Sequence, residues 1–270
     1  MNLDQLLSKA INCAIEAGQE IMNIYMTDDF GIAHKEDNSP LTKADLLAHE
    51  MISNTLSKTN IPILSEEGKH APFSERKQWS RLWIIDPIDG TKEFINRNGE
   101  FTINIALVEN ENPILGVIYA PAIDTIYFAA KNIGSFKLNN ISGNESAENL
   151  INNSISLPCQ SPPQNFTIVS SRSHSSKETD LFIKTLERQY GKIEIKHVGS
   201  SLKLCMIAEG SAHIYPRFIP TMEWDIAAGH AICLFANSNV IDYKTNRPMT
   251  YNRENLQNNW FMASRQTLKP

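Results

Sequence analysis

The sequence predicts a protein of layered helices and sheets, with an α+β first half and an α/β second half. Apolar residues recur at intervals of three and four over residues 3–24, which is the pattern of a long amphipathic helix. Two almost entirely apolar segments, 101–108 and 114–120, are joined by a short polar turn and predict a β-hairpin whose sheet is covered on both faces. From residue 166 onward strands and helices alternate, which is typical of α/β layering.

The composition limits the classes of function. With 270 residues, the chain is long enough for one large domain or two smaller ones with a substantial core. Its hydrophobic content of 41% and net charge of −5 are ordinary for a globular protein. The 25 basic residues are scattered and outnumbered by 30 acidic ones, so we expect no nucleic-acid-binding surface. A small anionic ligand would need a local basic pocket.

The four cysteines lie far apart and none forms a Cys-x-x-Cys pair, which argues against a zinc site. The first helical segment carries Asp4 and Glu16 and has no uninterrupted apolar core, so we expect neither a signal peptide nor a transmembrane span. These features favour the reducing cytoplasm. They leave open a peripheral contact with the inner membrane, and either a monomer or a homodimer.

Acidic residues then occur where predicted elements begin or end. Thr42 and Asp45 mark a helix start of the capping-box type, and Asp45 could be only a first-turn carboxylate that the helix dipole favours. The short apolar strand 61–64 runs directly into an acidic turn that contains Glu66. A solvated acidic turn is the commoner case, but the same arrangement of strand and acid is repeated further along the chain.

The repeat lies in the stretch 82–94, around which we expect the protein to be organised. The apolar run at its start predicts a buried strand that ends at Asp86, and Pro87 turns the chain so that Asp89 returns beside Asp86. Two carboxylates about 4 Å apart at an effective dielectric near 20 repel each other by about 4 kcal/mol, so a cation should lie between them. Mg²⁺ suits this place because it takes carboxylate oxygens together with substrate phosphate.

Gly90 and Thr91 follow the two carboxylates and add to the same site. Glycine lets the backbone approach a ligand closely, and threonine offers a hydroxyl at the turn. The alternative is an Asx-turn at Asp86 and an ordinary Asp-Gly turn at Asp89. That alternative leaves the pairing of two carboxylates after a strand of Trp, Ile and Ile unexplained.

Residues 139–165 are rich in Asn, Ser and Pro, and we predict a domain boundary there, with domains at 1–155 and 156–270. Beyond it we predict strands at 166–170, 193–198, 212–215, 240–241 and 260–263, and helices at 177–190, 202–209 and 225–235.

Three junctions between these elements carry polar groups, at residues 170–174, 199–203 and 223–225. Backbone N–H groups and hydroxyls at the start of a helix can hold an anion. Each junction alone could equally be an N-cap. Taken together, the three favour a phosphate pocket.

These motifs resemble the lithium-sensitive, Mg²⁺-dependent phosphatase superfamily that includes inositol monophosphatase. The shared pattern consists of Glu-Glu at 66–67, Asp-Pro-Ile-Asp-Gly-Thr at 86–91 and Trp-Asp at 224–225. The chain is most similar to the CysQ-type 3′(2′),5′-bisphosphate nucleotidases, through residues 92–94, 171–174, 199–203 and 215–218. The resemblance runs nearly end to end. It implies a layered sandwich in which an N-terminal domain with an antiparallel sheet packs against a C-terminal α/β domain.

The resemblance also implies a role for individual residues. The expected ligands of two Mg²⁺ ions, with a third and weaker ion near the first of them, are Glu66, Asp86, the carbonyl of Ile88, Asp89 and Asp225. The expected catalytic residues are Asp45, Thr91 and Glu66, with the first two orienting the attacking water. The expected substrate-binding residues are Gly90, Thr91, Ser171, Arg172, His174, Ser200, Lys203 and Asp225. For Arg172 the alternative is a surface ion pair, and for Lys203 it is a side chain that covers its own helix.

The implied reaction is hydrolysis of the 3′-phosphate of adenosine 3′,5′-bisphosphate (PAP) to AMP and phosphate, in sulfur assimilation, with the sulfated form (PAPS) as a further candidate substrate. The alternatives are an inositol or sugar phosphatase of the same superfamily and hydrolysis of short oligonucleotides. A non-catalytic phosphonucleotide-binding protein is a third alternative, but such a protein would be expected to have lost a metal ligand, and every ligand position is filled.

Overall fold

The computed structural model describes residues 1–35, 38–141, 147–172 and 176–266. The helices are α1 (Leu3–Tyr25), α2 (Lys43–Ser57), α3 (Phe73–Arg76), α4 (Thr91–Ile95), α5 (Ala147–Asn152), α6 (Lys177–Tyr190), α7 (Leu202–Glu209) and α8 (Glu223–Phe235). The strands of the first half are β1 (Ala33–His34), β2 (Pro40–Leu41), β3 (Ile63–Ser65), β4 (Arg81–Asp89), β5 (Thr102–Glu109), β6 (Asn112–Ala120), β7 (Thr125–Ala130), β8 (Gly134–Asn139) and β9 (Ile155–Ser156). Those of the second half are β10 (Phe166–Ser171), β11 (Ile193–Val198), β12 (Ile214–Arg217), β13 (Ser238–Asp242), β14 (Arg247–Pro248) and β15 (Phe261–Arg265).

The larger sheet has seven strands in the order β3-β4-β5-β6-β7-β8-β9. Strand β3 pairs parallel to β4, and every other pair in this sheet is antiparallel. Helices α1 and α2 cover one face and α7 and α8 cover the other, so the prediction that this sheet is buried on both faces is confirmed. The approach of α8 is close, because a Cβ at Gly116 would lie 2.3 Å from the carbonyl oxygen of Ala228.

The smaller sheet has six strands in the order β11-β10-β12-β15-β13-β14. Strand β10 pairs parallel to β11 and β12, whereas β15 pairs antiparallel to β12 and β13. One face packs on α6 and the other on the layer of α7 and α8. The α/β rhythm predicted from residue 166 onward is therefore confirmed, although the sheet is mixed rather than purely parallel.

Strand parity decides which residues of β4 face the second half of the chain. Trp83 and Ile85 pack into the core beneath α1 and α2, whereas Leu82 and Ile84 pack into the core shared with α7 and α8. Because successive side chains of a strand alternate between faces, Asp86 lies on the side of α7 and α8. The sequence of β4 thus delivers a carboxylate to the layer between the two sheets.

The prediction that the β4 strand ends at Asp86 is wrong. The strand continues to Asp89, with an irregularity in its pairing with β5 between Asp86 and Asp89. Pro87 fits there because a bulge does not need its missing N–H, and β3 pairs with β4 only as far as Ile85. The two carboxylates therefore belong to one bulged strand end rather than to a turn after it.

The Asn- and Ser-rich segment 139–165 contains more structure than predicted. Helix α5 lies within it, and β9 pairs with β8 at the edge of the larger sheet. Sheet membership changes between Ser156 and Phe166, close to the expected boundary, while the division into two domains stays a prediction. None of the helices in the described ranges is long and apolar enough to cross a membrane.

Candidate active site

A cleft of about 260 Å³ opens between the end of β4 and the first turns of α7 and α8. Both halves of the chain contribute to it. Its lining consists of Ser39, Pro40, Glu66, Asp89, Gly90, Thr91, Lys92, Glu93, Ser171, Ser200, Ser201, Lys203, Leu204, Tyr215, Arg217, Thr221, Asp225 and Ile226. Eight of the residues predicted for the site therefore line one cavity. Asp45, Asp86 and Ile88 lie buried beside it.

One wall of the cleft is acidic. Asp86 is only 1% exposed, and its Oδ1 atom has no hydrogen-bond partner among the described residues. Burial, and then the charges of Glu66, Asp89 and Asp225, raise the pKa of Asp86 well above its usual value. A buried carboxylate oxygen without a partner, surrounded by other carboxylates, fits a hard divalent cation.

The neighbouring acids show the same imbalance of charge. Burial raises the pKa of Asp89 to about 6, although Lys203 opposes the shift. Burial and the charges of Asp89 and Glu66 raise the pKa of Asp225 to about 8. These shifts mean that the acidic wall is short of positive charge.

In the described part of the chain, no three or more of these side chains are yet placed to hold a metal ion together. Glu66 is instead bound 2.7 Å from the ammonium of Lys35, which also contacts Glu67. Burial works against the Lys35 ammonium, but the two glutamates outweigh it and raise its pKa above the usual value. Metal binding would therefore need Glu66 to exchange the lysine for the ion.

Asp45 and Thr91 meet although 46 residues separate them. The Thr91 hydroxyl lies 3.2 Å from Asp45 Oδ1 and 3.3 Å from the carbonyl oxygen of Ile88. Thr42 donates its N–H, at 2.8 Å, and its hydroxyl, at 2.5 Å, to Asp45 Oδ2. The capping interaction thus occupies one oxygen of Asp45 and leaves the other for Thr91. Burial raises the pKa of Asp45, with these hydrogen bonds opposing it.

Another part of the cleft wall is basic. Lys203 is buried, its Nζ donates to the carbonyl oxygens of Val198 and Ser200, and it lies 5.6 Å from the centroid of the Tyr215 ring. Burial lowers its pKa to about 8, although the charge of Asp89 opposes the shift. Arg217 also lines the cleft, and its buried Nε has no partner among the described residues. Lys203 is therefore buried and bound to the loop before its own helix, and its contact with substrate stays a prediction.

The backbone of two lining residues, Gly90 and Ser200, adopts unusual conformations. Gly90 adopts φ = 94°, in the left-handed region that favours glycine, and a Cβ there would meet the carbonyl oxygen of Glu100 at 3.1 Å. Ser200 also has a positive φ, of 47°. Gly90 therefore presents only backbone to the cleft, and Ser200 presents its backbone and its side chain.

Arg172 forms a surface ion pair, which was the alternative to substrate binding for this residue. Its guanidinium binds Glu100 at 2.8 and 2.7 Å and the carbonyl oxygen of His197 at 2.8 Å. Glu100 in turn accepts the N–H of Gly199 at 2.8 Å. Binding of substrate by Arg172 stays a prediction that requires exchange of this ion pair. His174 lies outside the described residues.

Sequence reasoning missed two cationic residues of this site. Lys35 is a single lysine in a polar segment, and only the pairing of β1 with β2 brings it to Glu66. Arg217 lies in a motif that supported the resemblance, but no role followed from the motif. The period of two along β12 could have indicated its role, because Tyr215 and Arg217 are two residues apart and share the face that lines the cleft.

The layered fold and the cleft can be compared with those of known protein families. The sequence model of the inositol monophosphatase family matches residues 2–268. The chain belongs to that family.

Particular relatives narrow the similarity. The chain is 40% identical over 263 residues to the 3′(2′),5′-bisphosphate nucleotidase CysQ of Escherichia coli strain K12, covering 96% of this chain and 99% of that protein. It is 45% identical to CysQ from Bacteroides thetaiotaomicron, whose crystal structure superposes with a TM-score of 0.91 and 98% coverage of both chains. An inositol monophosphatase of Staphylococcus aureus shares the fold at 20% identity, with a TM-score of 0.72 and coverage of 98% of this chain and 90% of that one.

Proposed function

We propose that this protein is a Mg²⁺-dependent 3′(2′),5′-bisphosphate nucleotidase that hydrolyses the 3′-phosphate of PAP to AMP and phosphate. The observation that carries the proposal is a single cleft with both an acidic and a basic wall. The acidic wall contains a buried, unpartnered oxygen of Asp86, and the basic wall contains the buried Lys203 and the partly buried Arg217, whose Nε has no partner among the described residues. One wall suits metal ions at the phosphate to be removed, and the other suits a second phosphate. The similarity to the CysQ nucleotidases over nearly the whole chain supports the same substrate class.

The residues that would hold the metal ions are Glu66, Asp86, the Ile88 carbonyl, Asp89 and Asp225. Bound Mg²⁺ would make a water molecule more acidic and neutralise charge in the transition state of an in-line displacement. We propose two ions, and a third, weaker one near Glu66, where the Lys35 ammonium now lies.

Asp45 and Thr91 would accept the proton of the attacking water. Asp45 Oδ2 is held by Thr42, so Oδ1 is free to accept the Thr91 proton while the Thr91 oxygen accepts one from water. Burial raises the pKa of Asp45, which makes it a stronger base than an exposed aspartate. Both residues are fixed by backbone elements, so the proton path is assembled before substrate arrives.

The basic wall would bind the second phosphate of the nucleotide. Lys203 and Arg217 offer charged donors, and Ser171 and Ser200 offer hydroxyls at the starts of neighbouring loops. Hydrogen bonds to an ionised phosphate are stronger than neutral ones, particularly in a buried site. An inositol monophosphate has no second phosphate to bind to this wall.

We place the reaction in sulfur assimilation in the cytoplasm, where PAP is the by-product of sulfate transfer and PAPS is a second candidate substrate. Cys13, Cys159, Cys205 and Cys233 are all free thiols, which agrees with a reducing compartment. Because inhibition by Li⁺ is typical of the family, we expect Li⁺ to inhibit the enzyme.

The proposal is tested by measuring phosphate release from PAP, PAPS, 3′-AMP and inositol 1-phosphate with the pure protein in Mg²⁺. The comparison of PAP with 3′-AMP isolates the 5′-phosphate, because the two nucleotides are otherwise identical. We expect the highest kcat/KM for a bisphosphate. Turnover of inositol 1-phosphate at an equal or higher kcat/KM would contradict the assignment.

A further inference from the structure

Three polar residues are buried together between β5 and the start of α7. Asn104 is 1% exposed, Thr102 0% and Ser201 4%. The Ser201 hydroxyl donates to Asn104 Oδ1 at 2.7 Å, and the Thr102 hydroxyl lies 3.2 Å from the same oxygen and 2.8 Å from Ser201 Oγ. The oxygen of the Asn104 amide is therefore committed to two hydroxyls.

The same residues face the two carboxylates of β4. In the pairing of β4 with β5, Asn104 lies opposite Asp86 and Thr102 lies opposite Asp89. Directly opposed residues of an antiparallel pair share a face and have Cβ atoms about 4.5–5.5 Å apart. Ser201 joins the arrangement, because its backbone N–H lies near enough to the Asp89 carboxylate to oppose the rise in its pKa.

Two buried atoms in this arrangement lack partners. The amide nitrogen Nδ2 of Asn104 has no acceptor, and Asp86 Oδ1 has no donor, among the residues that the structure describes. One is a donor, the other is an acceptor, and they belong to residues paired across the strands. The opposite orientation of the amide would set an oxygen against a carboxylate, so the 2.7 Å hydrogen bond from the Ser201 hydroxyl, shorter than the 3.2 Å contact of Thr102, holds Nδ2 on the side of Asp86.

We propose that Asn104 is a positioning residue whose amide donates to Asp86 in the metal-bound enzyme. The inference rests on the proposed metal site and specifies how that site is organised. Asn104 fixes the orientation of Asp86, and Ser201 connects Asn104 to Asp89 and to the Ser200 loop that lines the cleft. Hydrogen bonds from surrounding groups orient metal-binding carboxylates and strengthen metal affinity.

The test measures Mn²⁺ binding directly, from the electron paramagnetic resonance signal of free Mn²⁺, in the full-length protein without substrate. Asn104→Leu removes the amide at nearly constant volume. Thr102→Val is the matched control, because it removes a buried hydroxyl from the same cluster and leaves the amide in place. Loss of an orienting hydrogen bond typically weakens metal binding by about 10- to 100-fold. We expect a rise in Kd of about tenfold or more for Asn104→Leu and less than about twofold for Thr102→Val.

Activity provides a second measurement. In Asn104→Leu, the Mg²⁺ concentration for half-maximal turnover should rise by the same factor as the Mn²⁺ Kd, while kcat at saturating Mg²⁺ changes less. If Asn104→Leu does not fold, Ser201→Ala replaces it. That variant keeps Asn104 but frees its amide, and we expect an intermediate rise in Kd.

The outcomes separate this inference from the proposed function. If the wild-type protein does not bind Mn²⁺, the proposed metal site itself is wrong, and this inference falls with it. If the wild type binds Mn²⁺ and Asn104→Leu, or Ser201→Ala in its place, binds it equally well, only the role of Asn104 is overturned. An equal loss in Thr102→Val would overturn it too, because the effect would then come from general packing. Weaker binding of PAP with unchanged Mn²⁺ binding would overturn it in favour of a contact with substrate.

Discussion

Glu223 and Asp225 are acids in the first turn of the same helix, Glu223 fully buried and Asp225 partly so, and their surroundings differ. The Glu223 carboxylate accepts the N–H of Asn252 at 2.6 Å, and the N–H and guanidinium of Arg253, each at 3.0 Å. Asp225 accepts one backbone N–H, from Met222 at 2.8 Å, and the charges of Asp89 and Glu66 act on it more strongly than the opposing charge of Arg217.

The comparison teaches that burial of a charge does not by itself indicate function. Burial raises the pKa of Glu223 as well, although the donors from residues 252 and 253 oppose it. The cleft differs because its carboxylates have too few donors and cations around them. This is seen in the unpartnered oxygen of Asp86 and in the pKa of about 8 at Asp225. We therefore expect Glu223 to stabilise the fold and Asp225 to bind a ligand.

The largest expected effect is on catalysis. Asp89→Asn removes one charge from the acidic wall at constant shape, so it should lower kcat/KM for PAP on the order of 10³-fold, because a metal ion contributes several kcal/mol to the transition state. The free energy of unfolding in the presence of a chelator should stay the same or increase, since repulsion is relieved. Turnover near the wild-type rate would remove Asp89 from the proposed ligands.

The cationic wall offers a test of selectivity. Lys203→Met replaces the ammonium with a side chain of similar length, and should raise KM for PAP by about 10- to 100-fold, the value of a hydrogen bond to a charged group. KM for 3′-AMP should change much less, because 3′-AMP lacks the 5′-phosphate. An equal loss for both nucleotides at saturating Mg²⁺ would assign Lys203 to the structure of the loop instead.

The next expected effect is on stability, at Glu223. Glu223→Gln leaves the Arg253 guanidinium without its carboxylate, and should lower the free energy of unfolding by about 1–3 kcal/mol in urea. The matched variant Asp225→Asn should not destabilise the metal-free protein. With Glu223→Gln, kcat should remain within a few-fold of wild type. Destabilisation by Asp225→Asn but not by Glu223→Gln would contradict the structural role of Glu223.

The remaining expected effect is a dependence of stability on pH in the metal-free protein. The folded-state pKa is about 6 for Asp89 and about 8 for Asp225, whereas an aspartate in the unfolded chain titrates near about 3.9. The folded state thus binds more protons between these values, so the free energy of unfolding should fall as pH rises from about 4 to about 8. In thermal unfolding with a chelator, Asp225→Asn should flatten the upper part of this decline. A wild-type midpoint that rises over the same range would show that these carboxyls are not raised.

Much of the fold could be predicted from the sequence, because periodicity and capping act locally. The predicted bounds 177–190, 193–198 and 202–209 coincide with α6, β11 and α7. The end of β4 was misplaced because a bulge, which depends on pairing with β5, accommodates the proline. Local pattern cannot report such long-range pairing.

The candidate site shows the same limit. The contact between Asp45 and Thr91 was expected from the motif, and the structure contains it, while its catalytic role stays a prediction. Lys35 and Asn104 gave no signal, since one is a single lysine in a polar segment and the other lies in an apolar strand. Their importance comes from partners that are distant in sequence, Glu66 for Lys35 and Ser201 for Asn104.

The most direct test of the central claim is a crystal structure with Mn²⁺ and AMP, in which anomalous scattering locates the ions. We expect ions bound by Glu66, Asp86, Asp89 and Asp225, with the Lys35 ammonium displaced from Glu66 and the AMP phosphate beside Lys203 and Arg217. Ions bound elsewhere, with Asp86 Oδ1 still unpartnered, would contradict it.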